Sequence, residues 1–274
     1  MRKTLWIFLA LPLVLAAGLL IFIGLNWRTL PSASSRAPSA PLAVVVPHHD
    51  FAKTYRAEFW RTLRQKTQID FSDITRVVVI GPDHFGLAQA GVTYATGDFS
   101  LSRGAYRNFF QRPSDFGATY RANDLLVKND HAVGALLDEL KQNFPNSSLA
   151  ALLIGQNTPF AQLAPLIQYL TANCRAGCLV VASVDFTHYQ PRAVIAQQDA
   201  ATIAQLRTKT VSEQMLSDNR AAVRADSPQS LYVLQEFARA NNLDWWLQNQ
   251  TNSAADDTTT DTTSHVYGGY LPRH

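Results

Sequence analysis

Five of the seven histidines in this chain stand beside a carboxylate or a second histidine, at places where apolar runs give way to polar turns. They occur in Val-Pro-His48-His49-Asp50, Gly-Pro-Asp83-His84, Asn-Asp130-His131 and Asp185-Phe-Thr-His188-Tyr189. Neutral imidazole is a common ligand for zinc, iron and copper, and a nearby carboxylate can orient the ring. Imidazole also titrates near neutrality, which suits proton transfer. Each cluster has a local reading as well. Asp50 can open a helix, Gly81-Pro82 is ordinary turn chemistry, and Asp130 is a favoured residue just before a helix. Four such clusters in one chain favour a shared site.

Sharing a site requires elements that bring these clusters together. Short runs rich in Val, Ile, Leu and Ala predict buried strands at Leu42–Val46, Val77–Ile80, Leu149–Ile154 and Leu179–Val184, with a further strand at Val266–Leu271. Amphipathic stretches predict helices near 52–66, 131–143, 160–172, 192–208 and 228–241. The alternation predicts an α/β domain over 42–274, with a mostly parallel sheet and helices on both faces. Such a sheet collects the carboxyl ends of its strands, and hence the histidines, at one edge. The Thr/Asp-rich stretch 251–263 reads as a solvated loop.

Leu5–Leu25 carries no charge over 21 residues, follows Arg2 and Lys3, and precedes Trp27. It is long enough to span a bilayer and longer than the apolar part of a signal peptide, about 7–15 residues. The expectation is a single-pass protein anchored through residues 1–28, its N-terminus cytoplasmic and its main domain periplasmic or extracellular. The Pro/Ser/Ala-rich stretch 29–41 reads as a tether. The formal charge is only +3, with no dense basic tract, which argues against a nucleic-acid partner. Cys174 and Cys178 could close a small disulfide loop in an oxidising compartment or stay as two thiols.

The order Val-Pro-His48, Val-Ile-Gly-Pro-Asp83-His84, Asp130-His131 and Ala-Ser-Val-Asp185-Phe-Thr-His188-Tyr resembles the Memo-like family, which includes the bacterial proteins called AmmeMemoRadiSam system protein B. Members of that family show Pro-His-Ala-Gly-Tyr, Gly-Pro-Ser/Asp-His, Glu-His-Ser and Ser-Ser-Asp-Phe-Ser/Thr-His-Tyr/Trp in the same order. The resemblance runs from about residue 42 to the C-terminus. It implies a fold similar to class III extradiol dioxygenases, which use non-haem iron. It also implies a metal site built from two histidines, here His48 and His84, and a later cysteine, with His131 and His188 lining the pocket.

Neither cysteine fits that last position, because both precede the Asp185–His188 motif. Asp226, ahead of the helix predicted at 228–241, is the best counterpart. Two histidines and one carboxylate form the ligand set of non-haem iron sites with open positions. Asp226-Ser227-Pro228 is also what a plain helix start looks like. His49 stands where the family has Ala and offers an alternative ligand.

The leading expectation is therefore an anchored Memo-like protein. His48, His84 and Asp226 would hold a divalent metal, Fe(II) ahead of Cu or Zn, in a centre capable of dioxygenase-like redox chemistry. His188 and His131 would serve as acid/base groups toward a small-molecule or peptide ligand, and Asp185 would orient His188. The alternative is a non-catalytic module that binds a peptide or protein in the same pocket. A metal-dependent hydrolase ranks behind both, since no His-Glu-x-x-His occurs. A Walker loop and a Gly-x-Ser-x-Gly elbow are also missing, which argues against a nucleotide hydrolase and a serine esterase.

Overall fold

The computed structural model describes residues 40–86, 90–102, 104–213, 224–254 and 262–273. Four strands form the centre of the sheet: β1 (Leu42–Val46), β2 (Arg76–Pro82), β7 (Ser148–Ile154) and β8 (Cys178–Ser183). They lie in the order β7-β2-β8-β1, and all their pairings are parallel. Val46 is level with Ser183, and Ile80 with Ala182, so the chain leaves β1, β2 and β8 at one edge.

Alternate residues of these strands enter two separate cores. Val78 and Ile80 face α4 (Ala164–Asn173), α5 (Arg192–Thr208) and α6 (Pro228–Ala240), packing among Leu166, Leu170, Leu206, Leu231 and Phe237. Val77 and Val79 face α1 (Lys53–Thr67) and α3 (His131–Asn143), among Phe59, Trp60, Leu63, Leu136 and Leu140. Burial on both faces is why these strands read as continuous apolar runs.

The centre of the sheet is parallel, as expected, and the whole sheet is mixed. It has eight strands in the order β6-β3-β7-β2-β8-β1-β10-β9. Antiparallel pairing enters on both flanks, where β3 (Val92–Tyr94) meets β7, and where β10 (Ser264–Leu271) lies between β1 and β9 (Asp244–Asn252). β6 (Tyr120–Ala122) pairs with β3, and β4 (Phe99–Leu101) with β5 (Gly104–Tyr106) forms a separate hairpin. β10 contains the strand expected at Val266–Leu271, whereas β3–β6 escape the sequence because each has three residues, too few for a period to show. β9 follows Trp245-Trp246-Leu247 with the polar stretch Gln248–Asn252, and none of its nine residues is buried, so no longer apolar run marks it. A short α2 (Asp124–Asn129) leads into α3.

The expected strands and helices otherwise fall within a few residues of their predicted bounds. The predicted helix at 160–172 begins as a 3-10 turn, Phe160–Leu163, before α4. Cys174 and Cys178 form a disulfide between the end of α4 and the start of β8, their Cα atoms 5.2 Å apart. Of the 251–263 stretch, residues 251 and 252 belong to β9 and 255–261 lie outside the described residues. No helix among the described residues is long and apolar enough to cross a membrane. The Leu5–Leu25 segment, and with it the expected anchor, lies outside them.

Candidate metal centre

His48 stands two residues past the last residue of β1 and is buried, at 2% exposure. Its backbone N–H donates to Asp185 Oδ1 at 3.1 Å. Its ring Nδ1 lies 3.2 Å from Ser183 Oγ, and that hydroxyl donates in turn to the Ala132 carbonyl. The hydroxyl's proton is thus used, so the Nδ1–H must be the donor and Nε2 carries the lone pair. Nε2 then faces Asp226 Oδ2 at 3.2 Å and Asp185 Oδ2 at 3.4 Å.

His84 follows β2 and is held the same way by a different residue. Asp130, fully buried, accepts its backbone N–H at 2.9 Å and its ring Nδ1–H at 2.8 Å. The same carboxylate caps α3 by accepting the Ala132 N–H at 2.9 Å. The helix-start reading of Asp130 is correct, and one residue does both tasks. This network commits the Nδ1 proton of His84 to Asp130, and its Nε2 lies 3.9 Å from Asp226 Oδ2.

His131 opens α3 and stands with its ring centroid 3.7 Å from that of His84 and 4.9 Å from that of His48. This approach depends on Gly81. A Cβ there would lie 2.7 Å from Ala132 Cβ, so any other residue would push the start of α3 off β2. Ring nitrogens of His48, His84 and His131 lie within 4.8 Å of one another, and so do donor atoms of His48, Asp185 and Asp226; either group could hold a metal ion.

Asp226 reaches the cluster because Ser227, not Asp226, caps α6 by accepting the Ser230 N–H. Its backbone N–H donates to the Asp185 carbonyl at 3.0 Å, and its Oδ2 accepts the Asp185 N–H at 3.3 Å. This pairing locks two segments 41 residues apart. Asp226 Oδ1 is buried without a hydrogen-bond partner.

Two expected roles change. Asp185 is turned to His48 rather than to His188, because its backbone continues β8 beside β1; Val184 N–H donates to the Val46 carbonyl. His49 is in neither metal-capable group. Consecutive side chains on extended backbone point opposite ways, and its ring instead stacks on Phe51 at 5.3 Å and lies 5.3 Å from that of His265. His188 stands near Asp226 on the wall of an adjoining cleft.

Sequence reasoning missed several residues. His265 is buried at the start of β10, and no carboxylate neighbour in sequence flags it. Ser183 precedes the Asp185 motif by two residues, which was a usable signal. Arg56 and Asp199 are buried and charged inside helices, where sequence gives no cue. Arg56 donates to the Pro47 and His49 carbonyls on either side of His48, and to Glu139 on α3. Asp199 accepts from the Thr187 N–H and hydroxyl, from Gln250 and from Ser264, and so anchors the residue before His188.

The electrostatics follow from burial and crowding. Burial, with the neighbouring carboxylate Asp185 opposing it, lowers His48 below the ordinary histidine value. His131 falls to about 4 through burial and the nearby His84 and His48. His84 moves the other way: burial pulls it down, but the Asp130 hydrogen bond and charge, with Asp226 and Asp185, raise it overall. Burial lifts Asp226 to about 7 against the pull of His84 and His188. Burial likewise raises Asp185. Ring nitrogens and carboxylate oxygens thus crowd one point, where protons on His84 and Asp226 or a bound cation can separate them.

Fold and site together define an α/β protein with a histidine/carboxylate cluster at the carboxyl edge of its sheet. The chain is similar to a MEMO1 family protein of Thermotoga petrophila, 23% identical over 186 residues, which are 66% of this chain and 65% of that protein. The match spans less than two thirds of the relative; the similarity is distant and supports a Memo-like family. The crystal structure of an uncharacterized protein from Escherichia coli K12 has the same fold, with a TM-score of 0.50 at 12% identity, over 85% of this chain and 100% of that one. No protein-family model matches the chain.

Proposed function

We propose that this chain is a Memo-like metal-binding protein in which His48, His84 and Asp226 hold one divalent ion, Fe(II) ahead of Cu or Zn. The observation that supports it most is the aim of the lone pairs. Ser183 and Asp130 take up the Nδ1 protons of His48 and His84, and both Nε2 atoms then face Asp226 Oδ2, at 3.2 and 3.9 Å. The orphaned Asp226 Oδ1 is a second sign that a partner belongs there. Two histidines and a carboxylate suit non-haem Fe(II) and leave coordination positions open.

Such an ion supplies Lewis-acid or one-electron chemistry, as in the extradiol dioxygenases that the sequence motifs bring to mind. The chain's own groups do the rest. His131 is neutral and can accept a proton beside His84. His188 can exchange a proton with a ligand in the adjoining cleft. Asp185 holds His48 by its backbone N–H. We place the domain outside the cytoplasmic membrane, tethered through Leu5–Leu25.

Metal content after anaerobic reconstitution with Fe(II), Cu and Zn tests this. Wild type should retain one equivalent, and His84→Ala and Asp226→Ala should lose it. Equal and negligible metal in all three refutes the reading.

A second reading rests on three exposed aromatics beside the site histidines. Phe51, Phe85 and Tyr189 are 73%, 53% and 70% exposed and lie within two residues of His49, His84 and His188. Exposed aromatics of this kind mark a surface that docks a peptide or protein. Partner binding that survives replacement of His48, His84, His131 and His188 by Ala, with no turnover in wild type, would favour this module over an enzyme.

A further inference from the structure

Asp185 brings a second carboxylate to the metal centre, and it is buried, at 2% exposure. Its Oδ1 accepts the His48 N–H at 3.1 Å, while its Oδ2 lies 3.4 Å from Nε2 of the same histidine. Asp226 Oδ2 stands 3.2 Å from that nitrogen. Donor atoms of His48, Asp185 and Asp226 all lie within 4.8 Å of one another. The two acidic residues form one rigid unit. Asp226 N–H donates to the Asp185 carbonyl at 3.0 Å, and Asp185 N–H donates to Asp226 Oδ2 at 3.3 Å.

Distance and charge both bear on what these oxygens do. A hydrogen bond between an imidazolium and a carboxylate closes to about 2.7–2.9 Å. Both contacts to His48 Nε2 are longer than that. Ligand atoms about 2.1 Å from a metal stand about 3.4 Å apart on a tetrahedron and about 3.0 Å apart on an octahedron. The contacts of 3.2 and 3.4 Å fall in that range. A divalent ion on two neutral histidines and Asp226 alone would keep one uncompensated positive charge. Such a charge is costly in a buried setting, and the Asp185 carboxylate cancels it.

We propose that Asp185 is a fourth protein ligand of this ion, which makes the centre an electrically neutral set of two histidines and two carboxylates. This rests on the metal-binding reading and deepens it. A second oxygen donor moves the preference away from copper(I) and toward Fe(II) or Mn(II).

The test is titration of the metal-free full chain with Co(II), followed by visible absorption, in wild type, His84→Ala, Asp185→Asn, Asp185→Glu and Ser183→Ala. Circular dichroism on the same samples reports whether each is folded. Asn keeps an oxygen for the His48 N–H and loses the charged donor, so it separates coordination from orientation. Ser183→Ala removes only a hydrogen bond to the His48 ring and sets the scale of an orienting residue, about 10–100-fold in affinity. Asp185→Asn should weaken Co(II) binding by more than Ser183→Ala does and shift the absorption bands. Ser183→Ala should keep the wild-type bands, and Asp185→Glu should bind more tightly than Asp185→Asn, with altered bands. Wild-type bands in Asp185→Asn, or a loss of affinity no larger than that of Ser183→Ala, overturn the assignment. Where Asp185→Asn does not fold, wild-type bands in Asp185→Glu overturn it instead. Binding that is abolished in His84→Ala yet unmoved in Asp185→Asn leaves the metal reading standing and this assignment refuted. No Co(II) uptake by wild type overturns both.

Discussion

Asp130 grips His84 twice, through the backbone N–H at 2.9 Å and ring Nδ1 at 2.8 Å, while it caps the helix that carries His131. One buried carboxylate therefore sets the tautomer of one histidine and the position of another. Asp130→Ala should weaken metal binding about 10–100-fold. It should also lower the melting temperature through loss of the cap, worth about 1 kcal/mol. Metal titration and thermal melts of the same samples check both; an unchanged metal affinity would show that His84 needs no such orientation.

Metal affinity should rise steeply with pH across neutrality. Burial lifts Asp226 to about 7, and Asp130 with the neighbouring carboxylates raises His84 above its ordinary value, so an incoming ion competes with protons at both. The same shifts fix the sign for the metal-free protein. Protonated His84 stabilises the fold below its unfolded value of about 6.5, and this is lost as pH rises through its higher folded value. Asp226 ionises near 3.8 when unfolded but near 7 when folded, so stability again falls as pH rises between those values. His131 and His265, lowered to about 4 and about 3, act in the opposite sense and add stability as pH rises toward 6.5. The Asp226 share is therefore read as a difference: the stability of metal-free wild type relative to Asp226→Asn should fall between pH 5 and pH 7. A difference that rises over that range contradicts the assignment.

Asp226→Cys should keep a metal where Asp226→Ala does not. By the motif resemblance Asp226 is the best counterpart of a family cysteine, and a thiolate shifts preference toward zinc or copper(I). Competition between Fe(II) and Zn on the two variants reads out the exchange. Loss of every metal from Asp226→Cys would mean that Asp226 is not a ligand position.

Arg56→Ala should destabilise the protein by about 3–5 kcal/mol, since it strips a buried cation from partners that stay buried. Arg56 is 1% exposed and donates to the Pro47 and His49 carbonyls, each at 3.1 Å, and to Glu139 at 3.1 Å. Chemical denaturation measures the loss. Because those carbonyls flank His48, the variant should also bind metal more weakly under conditions where it remains folded. A loss below about 1 kcal/mol, the range of exposed pairs, would remove Arg56 from this role.

The elements that carry the site were legible in the sequence because each has a strong local signal. Doubly buried strands such as Val77–Ile80 show as unbroken apolar runs, and α3 and α6 show their amphipathic period and their starts at Asp130 and Ser227. Parallel strand order then makes it a matter of geometry that His48, His84 and Asp185 leave at one edge. Short β3–β6 and the unburied edge strand β9 left no such trace, since strands of three residues and half-exposed edges carry no clear period. The choice of partner within the cluster was decided only by tertiary structure. Sequence distance suggested that Asp185 serves His188, yet β8 lies against β1, and the carboxylate meets His48 instead. Likewise only folding shows that Arg56 and Asp199 brace the loops around His48 and His188. Local pattern records which face of an element is buried; which side chains then touch depends on segments that meet across the chain, and no local pattern encodes that.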